Sequence, residues 1–183
     1  PRTRIIFFSM VYDVAIIGGA FSGSATALVL KRHQPDARVL IIEKTSEFDR
    51  KVGESTTEVS SCYMTRILGL THHLGHHHLP KQGLRLWCSR DPDQSFDDCV
   101  ELGARSGARL AGFQIDRAIL DTHLLDEAVR AGCELMRPAK VTSLELQEGG
   151  EQVLTLDFQQ QQHRIGARWI VDASGRAAMI ARK

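Results

Sequence analysis

The sequence predicts an α/β fold in which parallel β-strands alternate with helices, and three features indicate it. The 183 residues suit one domain with a real core, and 43% hydrophobic with 25% charged residues is typical of a globular chain. A short apolar run at residues 12–17 ends at a glycine-rich turn, and a helical pattern at 22–33 ends before Pro35. A second apolar run follows at 38–42. Strand, turn, helix and strand in this order form a βαβ unit with a right-handed crossover.

The rest of the chain adds one clear helix and a set of short strands. The helix is predicted at 116–131, where apolar residues recur at helical spacing and Gly132 follows as a stop. A β-hairpin is predicted from the runs at 141–146 and 153–158, which flank a turn at 148–151. The other predicted elements are a helix at 55–68, strands at 83–88, 134–136 and 168–171, a polar loop at 90–98, and a polar loop or strand extension at 159–162.

Composition and charge exclude some partners and favour a reducing compartment. A net charge of +1 gives no basic surplus for nucleic acid. No apolar run approaches the roughly 20 residues that a membrane-spanning helix needs. The four cysteines form no Cys-x-x-Cys pair, which favours reduced thiols in the cytoplasm. We expect residues 1–9 to be an upstream or added extension before a natural start at Met10, and the domain to occupy 10–183.

The turn after the first strand has the pattern of a dinucleotide-binding loop, G-x-G-x-x-G, with alanine at the middle glycine. Its residues are Gly18, Gly19, Ala20, Phe21, Ser22 and Gly23. Gly18 suits the tight turn, Gly23 lets helix and strand pack closely, and the helix N-terminus offers N–H groups to a pyrophosphate. Glu43 ends the second strand, where a carboxylate accepts hydrogen bonds from ribose hydroxyls. This combination predicts a Rossmann-like site for an unphosphorylated ribose, as in FAD or NAD.

Three later segments resemble a known family. The sequence KVGEST at 51–56 resembles the G-E-S/A segment of flavin-dependent halogenases and their reductase relatives. The sequence FQIDR at 113–117 resembles the helix start that carries a D-R pair in that superfamily, and RWIVDASGR at 168–176 resembles its D-A-S-G-R strand end. The segments follow the family's order, so the resemblance covers nearly the whole chain from Met10. The chain is similar to the FAD monooxygenases built like the aromatic hydroxylases, and most of all to their halogenase-like branch.

This resemblance implies FAD as the cofactor and a Rossmann-like FAD-binding domain with a glutathione-reductase-type βαβ start and β-hairpin additions. It also implies an incomplete fragment, because proteins of this class normally run well past 183 residues. A substrate-side insertion is expected to begin around 80–112. The residues that the resemblance adds to the cofactor-binding set are Lys44, Gly53, Glu54, Ser55, Gln114, Arg117, Val141, Asp172, Ala173 and Gly175.

Lys81 and Glu54 are the candidates for catalysis, and each has a structural alternative. In the halogenases a lysine in a place comparable with Lys81 relays the oxidised halogen to the substrate; the alternative is a solvated lysine before a strand. Glu54 could instead be a carboxylate near the start of the following helix. By the same reasoning Asp116 could be an ordinary helix cap and Arg117 a surface residue.

Five histidines lie close together: His72, His73, His76, His77 and His78. Two pairs among them have the i, i+4 spacing that chelates a metal on a helix. Gly75 and Pro80 argue against a regular helix, and no cysteine or carboxylate joins the run. We therefore expect a solvated loop with adventitious metal affinity, and no biological metal site is predicted.

The leading functional hypothesis is an FAD-dependent oxidoreductase, either a monooxygenase or halogenase-like, that uses reduced flavin and oxygen on a small organic or aromatic substrate. Its electrons would come from NAD(P)H or from a separate flavin reductase. Two alternatives stay open: a flavin reductase of alkenes similar to the geranylgeranyl reductases, and a nucleotide-binding module without catalysis.

Overall fold

The computed structural model describes residues 5–103 and 110–182, with side chains from residue 11 onward. The chain divides into two compact units. The first, called here the sheet unit, contains the residues up to Arg50 and those from Arg117 onward. The second, called here the insert unit, is Lys51–Asp116.

The sheet unit is built on one six-stranded sheet, whose strands are β1 (Ile5–Ile17), β2 (Val39–Ile42), β7 (Glu134–Met136), β8 (Ala139–Glu145), β9 (Gln152–Phe158) and β10 (Gln161–Asp172). Their order across the sheet is β7-β2-β1-β10-β9-β8. Strands β7, β2, β1 and β10 are parallel, whereas β10, β9 and β8 form an antiparallel meander. The predicted parallel α/β fold with an added hairpin is confirmed.

Two helices belong to this unit, α1 (Phe21–His33) and α4 (Arg117–Arg130), and they pack against each other. Strand β2 is buried along its whole length, as its continuous apolar run predicts for a central parallel strand. The meander contributes the larger part of a core with β1, β2 and β7. Its fully or almost fully buried members include Tyr12, Leu40, Leu154, Leu156, Ile165 and Ala167.

The polar run at 159–162 contains both of the predicted features. Gln159 and Gln160 have φ of +50° and +61° and form the two-residue turn between β9 and β10, while Gln161 starts the next strand. Two consecutive positive φ angles are the geometry that suits the twist of a hairpin. The turn therefore fixes the register in which Gln161 pairs with Phe158.

The insert unit has short elements. They are α2 (Glu58–Cys62), a π-helical turn at Tyr63–Ile67, α3 (Thr71–His77), β3 (Leu79–Lys81), β4 (Arg85–Cys88), a 3₁₀ turn at Phe96–Asp98, β5 (Val100–Gly103) and β6 (Gly112–Gln114). Strand β3 pairs with β6, and β4 pairs with β5. The helix predicted at 55–68 starts later, because Thr57 caps α2 by accepting the N–H of Ser60, and it changes to a π-helical turn at Tyr63.

Four of the five histidines lie in a helix, so the predicted loop is wrong, whereas the predicted exposure holds for His72, His76 and His77. Helix α3 spans Thr71–His77, and Leu74 is fully buried beneath it. Gly75 faces open space and is tolerated at a modest cost, while Pro80 lies beyond the helix end, where it breaks no helical hydrogen bond. Burial of Leu74 therefore outweighs the weak helix propensity that Gly75 gives this segment.

No helix in the described parts of the chain is long and apolar enough to cross a membrane.

The buried thiol of Cys133 should be chemically inert in the folded protein. Burial raises the pKa of Cys133 to about 11, against a small opposing effect of Lys31, whereas Cys88 is exposed. A disulfide reagent such as DTNB at pH 8 is therefore expected to label Cys88 quickly and Cys133 only after unfolding. Peptide mapping by mass spectrometry measures both sites, and rapid labelling of native Cys133 would contradict this placement.

Candidate functional site

The glycine turn holds helix α1 directly against strand β1. Gly18 has φ of +103°, and its N–H donates to the carbonyl of Ile42 at the end of β2 (2.8 Å). A Cβ on Gly23 would lie 1.8 Å from the carbonyl oxygen of Gly18, so only glycine fits where the helix meets the turn. The turn therefore has the close approach that the motif predicts.

The first turn of α1 presents its backbone N–H groups without a competing cap. The residue before the helix is Ala20, no side chain caps this end, and the first turn contains no acidic residue. The hydroxyl of Ser24, which is fully buried, donates to the carbonyl of Gly19 (2.6 Å) and fixes the backbone of the turn. An uncapped helix N-terminus of this kind binds anions, since the unpaired N–H groups and the helix dipole both favour negative charge.

Glu43 lies at the end of β2 beside this turn and is 5% exposed. One carboxylate oxygen, Oε2, accepts the N–H of Gly19 (2.7 Å), and Oε1 accepts both the N–H and the hydroxyl of Thr45 (2.9 and 2.8 Å). Burial alone would raise the pKa of Glu43, but these hydrogen bonds and the charge of Arg137 together lower it. The group is an anionic acceptor, and Oε2 retains a lone pair for a ribose hydroxyl.

Arg117 is the first residue of α4, and its guanidinium is fixed by an ion pair with Asp121. Nε and Nη2 of Arg117 lie 3.1 and 3.0 Å from the two carboxylate oxygens of Asp121, which is fully buried. The guanidinium also lies 6.0 Å from the ring centre of Phe21, within the glycine turn. The structure therefore places Arg117 next to the turn, and the Asp121 carboxylate fixes the orientation of its guanidinium. An ordinary surface arginine would lack such a buried partner.

The D-A-S-G segment at residues 172–175 packs against the start of the glycine turn. The N–H of Ala173 donates to the carbonyl of Ile17 (2.9 Å), and a Cβ on Gly18 would lie 2.5 Å from the carbonyl oxygen of Ala173. Two segments about 150 residues apart are thus adjacent because β1 and β10 are parallel neighbours. This is the carboxyl edge of the parallel strands, where α/β proteins bind ligands.

Asp172 organises the loop that follows β10. Its two carboxylate oxygens accept the N–H of Ser174 (3.0 Å) and the N–H of Ile180 (2.8 Å), and the Ser174 hydroxyl also donates to it. Burial would raise the pKa of Asp172, but these hydrogen bonds lower it. Its observed contacts are within the loop, where Gly175 follows with φ of +65°.

Two other predicted residues lie in contrasting places. Lys44 is exposed directly after Glu43, and Val141 is 6% exposed within the core formed by the meander. A cofactor contact of either residue stays a prediction.

In the insert unit, three predicted residues, Ser55, Gln114 and Lys81, lie on three neighbouring strand segments. Ser55 forms a β-bridge with Gln114 on β6, and β6 pairs on its other side with β3, which ends at Lys81. The amine of Lys81 donates to the hydroxyl of Ser55 (2.6 Å). Glu54 turns back to accept the N–H of Gly53 (3.0 Å), which has φ of +114°.

Sequence reasoning missed two residues of these sites, Thr45 and Gly112. Thr45 supplies two of the hydrogen bonds to Glu43, and a hydroxyl residue two positions after a strand-end carboxylate is a signal that could have indicated it. A Cβ on Gly112 would lie 2.7 Å from the carbonyl oxygen of Thr56 and 3.2 Å from Cε of Lys81. No local pattern marks Gly112, because its neighbours come from distant parts of the sequence.

In the described ranges, no group of three or more histidine, cysteine or acidic side chains is arranged to hold a metal ion.

Comparison with known families matches residues 11–183 to the model described as FAD binding domain. The chain belongs to this FAD-binding family. FAD is therefore the cofactor, and the choice between FAD and NAD that the glycine turn left open is settled. The recognised family, the fold class and the cofactor predicted from the sequence are confirmed.

The relatives of this FAD-binding domain include several halogenases. The flavin-dependent halogenase chlA of Dictyostelium discoideum is 30% identical over 189 residues, covering 90% of this chain and 31% of the relative. The 1H-pyrrole-2-carbonyl-[peptidyl-carrier protein] chlorinase of Pseudomonas fluorescens is 25% identical, covering 94% of this chain and 41% of the relative. The chain thus spans between about a third and two fifths of the length of these relatives.

Solved structures show the same fold. The flavin-dependent brominase Bmp2 superposes with a TM-score of 0.77 at 24% identity, covering 95% of this chain and 40% of that protein. The myxobacterial chondrochloren halogenase CndH, a variant of FAD-dependent halogenases, gives a TM-score of 0.76 at 25% identity, covering 91% and 38%.

The residues of the sheet unit fit the ADP half of FAD. The uncapped start of α1 suits a pyrophosphate. The absence of side chains at Gly18 and Gly23 lets the D-A-S-G segment and helix α1 pack closely against the turn that would hold it. The anionic, buried Glu43 suits a ribose with free hydroxyls and would repel a ribose phosphate. Ala20 stands where this type of turn often has glycine, and its small methyl group is the one departure.

Proposed function

We propose that this chain is the FAD-binding part of an FAD-dependent oxidoreductase that is halogenase-like or a monooxygenase and acts on a small organic or aromatic substrate. Bound FAD supplies the redox chemistry with oxygen. The observation that carries the halogenase-like assignment is the Lys81 amine held 2.6 Å from the Ser55 hydroxyl, within the segment that resembles the halogenases.

In the sheet unit, the proposed roles concern binding and orientation. The N–H groups at the start of α1 bind the pyrophosphate, and Glu43 accepts a ribose hydroxyl. Arg117 supplies a positive charge beside the turn, in the orientation that Asp121 fixes. Asp172 holds the D-A-S-G backbone in place by its hydrogen bonds to Ser174 and Ile180, so that Ala173 and Gly175 can approach the cofactor.

In the insert unit, Lys81 is the proposed catalytic residue and Ser55 orients its amine. The hydroxyl of Ser55 and the glycine backbone at Gly112 restrict the lysine side chain from two sides. In the proposed role, the amine restrained in this way transfers an oxidised halogen to a substrate carbon. Gly53, Glu54 and Gln114 are proposed to contact the cofactor, as the resemblance implies.

The proposed electron source is NAD(P)H or a separate flavin reductase, and the proposed compartment is the cytoplasm. The unpaired state of Cys62, Cys88, Cys99 and Cys133 supports a reducing environment. The proposed substrate-side insertion begins around residues 80–112, which belong to the insert unit.

Replacing Lys81 with methionine tests the halogenase-like assignment in the whole protein. We expect a loss of halogenated product on the order of 100-fold, since a positioned reacting group contributes about that much or more. FAD affinity and reductant-dependent oxygen consumption should stay unchanged. The measurement is mass spectrometry of a panel of electron-rich phenols incubated with bromide or chloride, FAD, a flavin reductase and NADH.

The matched control is Lys140→Met, because Lys140 is exposed on β8 in the sheet unit. Full halogenation by the Lys81→Met protein would overturn the role of Lys81. Hydroxylated product without halogen in the unsubstituted protein would favour a monooxygenase. Substrate reduction without oxygen consumption would identify an alkene reductase instead, and bound FAD that no reductant changes would point to a module without catalysis.

A further inference from the structure

Helix α3 carries an exposed pair of histidines that the flavin chemistry does not use. His72 and His76 are one helical turn apart and both exposed, and their rings stack with centres 4.0 Å apart at an interplanar angle of 22°. The stacking shows that the two side chains share one face of the helix, and the exposed His72 side chain must rotate before both rings can bind one ion. Two imidazoles at i and i+4 on a helix can bind one metal ion together.

The hydrogen bond of His76 leaves the correct nitrogen for a metal. Nδ1 of His76 lies 2.8 Å from the carbonyl oxygen of His72. A carbonyl oxygen only accepts, so Nδ1 carries the proton and Nε2 carries the lone pair. Metal-binding histidines typically donate one ring N–H to a carbonyl or carboxylate while the other nitrogen binds the ion. His76 is therefore in the tautomer that a ligand needs.

In His73 and His78, ring nitrogens are already used in hydrogen bonds within the protein. The backbone N–H of Asp116 donates to Nδ1 of His78 (3.2 Å), so Nε2 of His78 carries a proton. That Nε2 lies 3.3 Å from Nε2 of His73, which accepts it. The lone pair of His73 at this nitrogen is therefore used inside the protein, and this makes the His73 and His77 pair the weaker chelator.

We propose that His72 and His76 form a two-histidine site for a borderline divalent transition metal such as Cu²⁺, Zn²⁺ or Ni²⁺, with water completing the coordination. Imidazole ligands suit these ions, and the order of affinity should follow the general series, with Cu²⁺ the tightest. Mg²⁺ and Ca²⁺ prefer oxygen ligands and should not bind. Bound metal would link two successive turns of α3 and stabilise this short helix.

The test is calorimetric titration of the purified, EDTA-treated and desalted chain with CuCl₂, ZnCl₂ and MgCl₂ in a buffer that does not chelate. We expect saturable binding of one Cu²⁺ or Zn²⁺ per chain and none of Mg²⁺. His72→Ala and His76→Gln should each weaken that binding tenfold or more. Both residues are exposed, so the variants should fold, which circular dichroism checks.

The matched control is His77→Ala, an exposed histidine on the same helix. Its affinity for Cu²⁺ should stay within about twofold of the unsubstituted chain. A larger loss in His77→Ala than in His76→Gln would overturn the choice of ligands. Absence of saturable binding, or binding that survives the His72→Ala and His76→Gln double substitution, would overturn the site itself.

Discussion

Alanine in place of Gly23 should greatly weaken FAD binding and lower the free energy of unfolding of the sheet unit. The new Cβ would lie 1.8 Å from the carbonyl oxygen of Gly18, and neither partner is a flexible side chain that can move away. Helix α1 must then shift from β1, which displaces the N–H groups proposed to bind the pyrophosphate. Overpacking of this kind costs roughly 1–3 kcal/mol of stability, and we expect FAD affinity to fall by at least a factor of 100.

The measurement is FAD titration by quenching of flavin fluorescence, together with urea unfolding followed by circular dichroism. Gly75→Ala is the matched control, because Gly75 lies within helix α3 and a Cβ there meets nothing within 4 Å. In that variant the free energy of unfolding should rise by up to about 1 kcal/mol, since alanine is the better helix former. Normal FAD affinity in the Gly23→Ala protein would show that the close approach of α1 and the turn is not needed.

Glutamine in place of Glu43 should weaken FAD binding roughly tenfold to a hundredfold at pH 7, the range expected for one hydrogen bond to a charged group. Glutamine keeps the size of the side chain but removes the negative charge that accepts from Gly19 and Thr45 and is proposed to accept from the ribose. Because Glu43 is buried, the loss should also appear in the free energy of unfolding without FAD.

The pH dependence of that stability loss has a definite sign. The pKa of Glu43 is lowered in the folded chain from an ordinary 4.5, so its charge stabilises the fold above that pH, and the contribution is lost as the pH falls through the lowered value. The difference in unfolding free energy between the two proteins should therefore be largest near neutral pH and shrink in acid. The control is Glu145→Gln, an exposed residue paired with Arg164. A Glu43→Gln protein with unchanged FAD affinity would remove the proposed ribose contact.

The sequence was sufficient for the βαβ start because its signals are local. Each signal depends on the structure at its own position. This holds for the apolar run of β2, for the glycines at 18 and 23, and for the acidic residue at 43. Parallel pairing of β1 with β10 explains why the D-A-S-G segment meets the same turn, and the rules of α/β topology place both at one edge.

The sequence was insufficient where contacts between residues distant in the sequence determine the local structure. Helix α3 forms against the local preference of Gly75 because Leu74 is fully buried. The contact between Lys81 and Ser55, which are 26 positions apart, depends on β6 passing between their segments. Gly112 matters only because Thr56 and Lys81 lie against it.

The most direct test of the central claim, that the sheet unit binds the ADP half of FAD, is a competition titration on the purified chain. FAD binding is followed by fluorescence quenching while ADP or FMN is added. We predict one FAD per chain, displacement by ADP, and little displacement by FMN, which lacks the adenosine half. Failure to bind FAD, or displacement by FMN but not by ADP, would contradict the assignment of the glycine turn, helix α1 and Glu43.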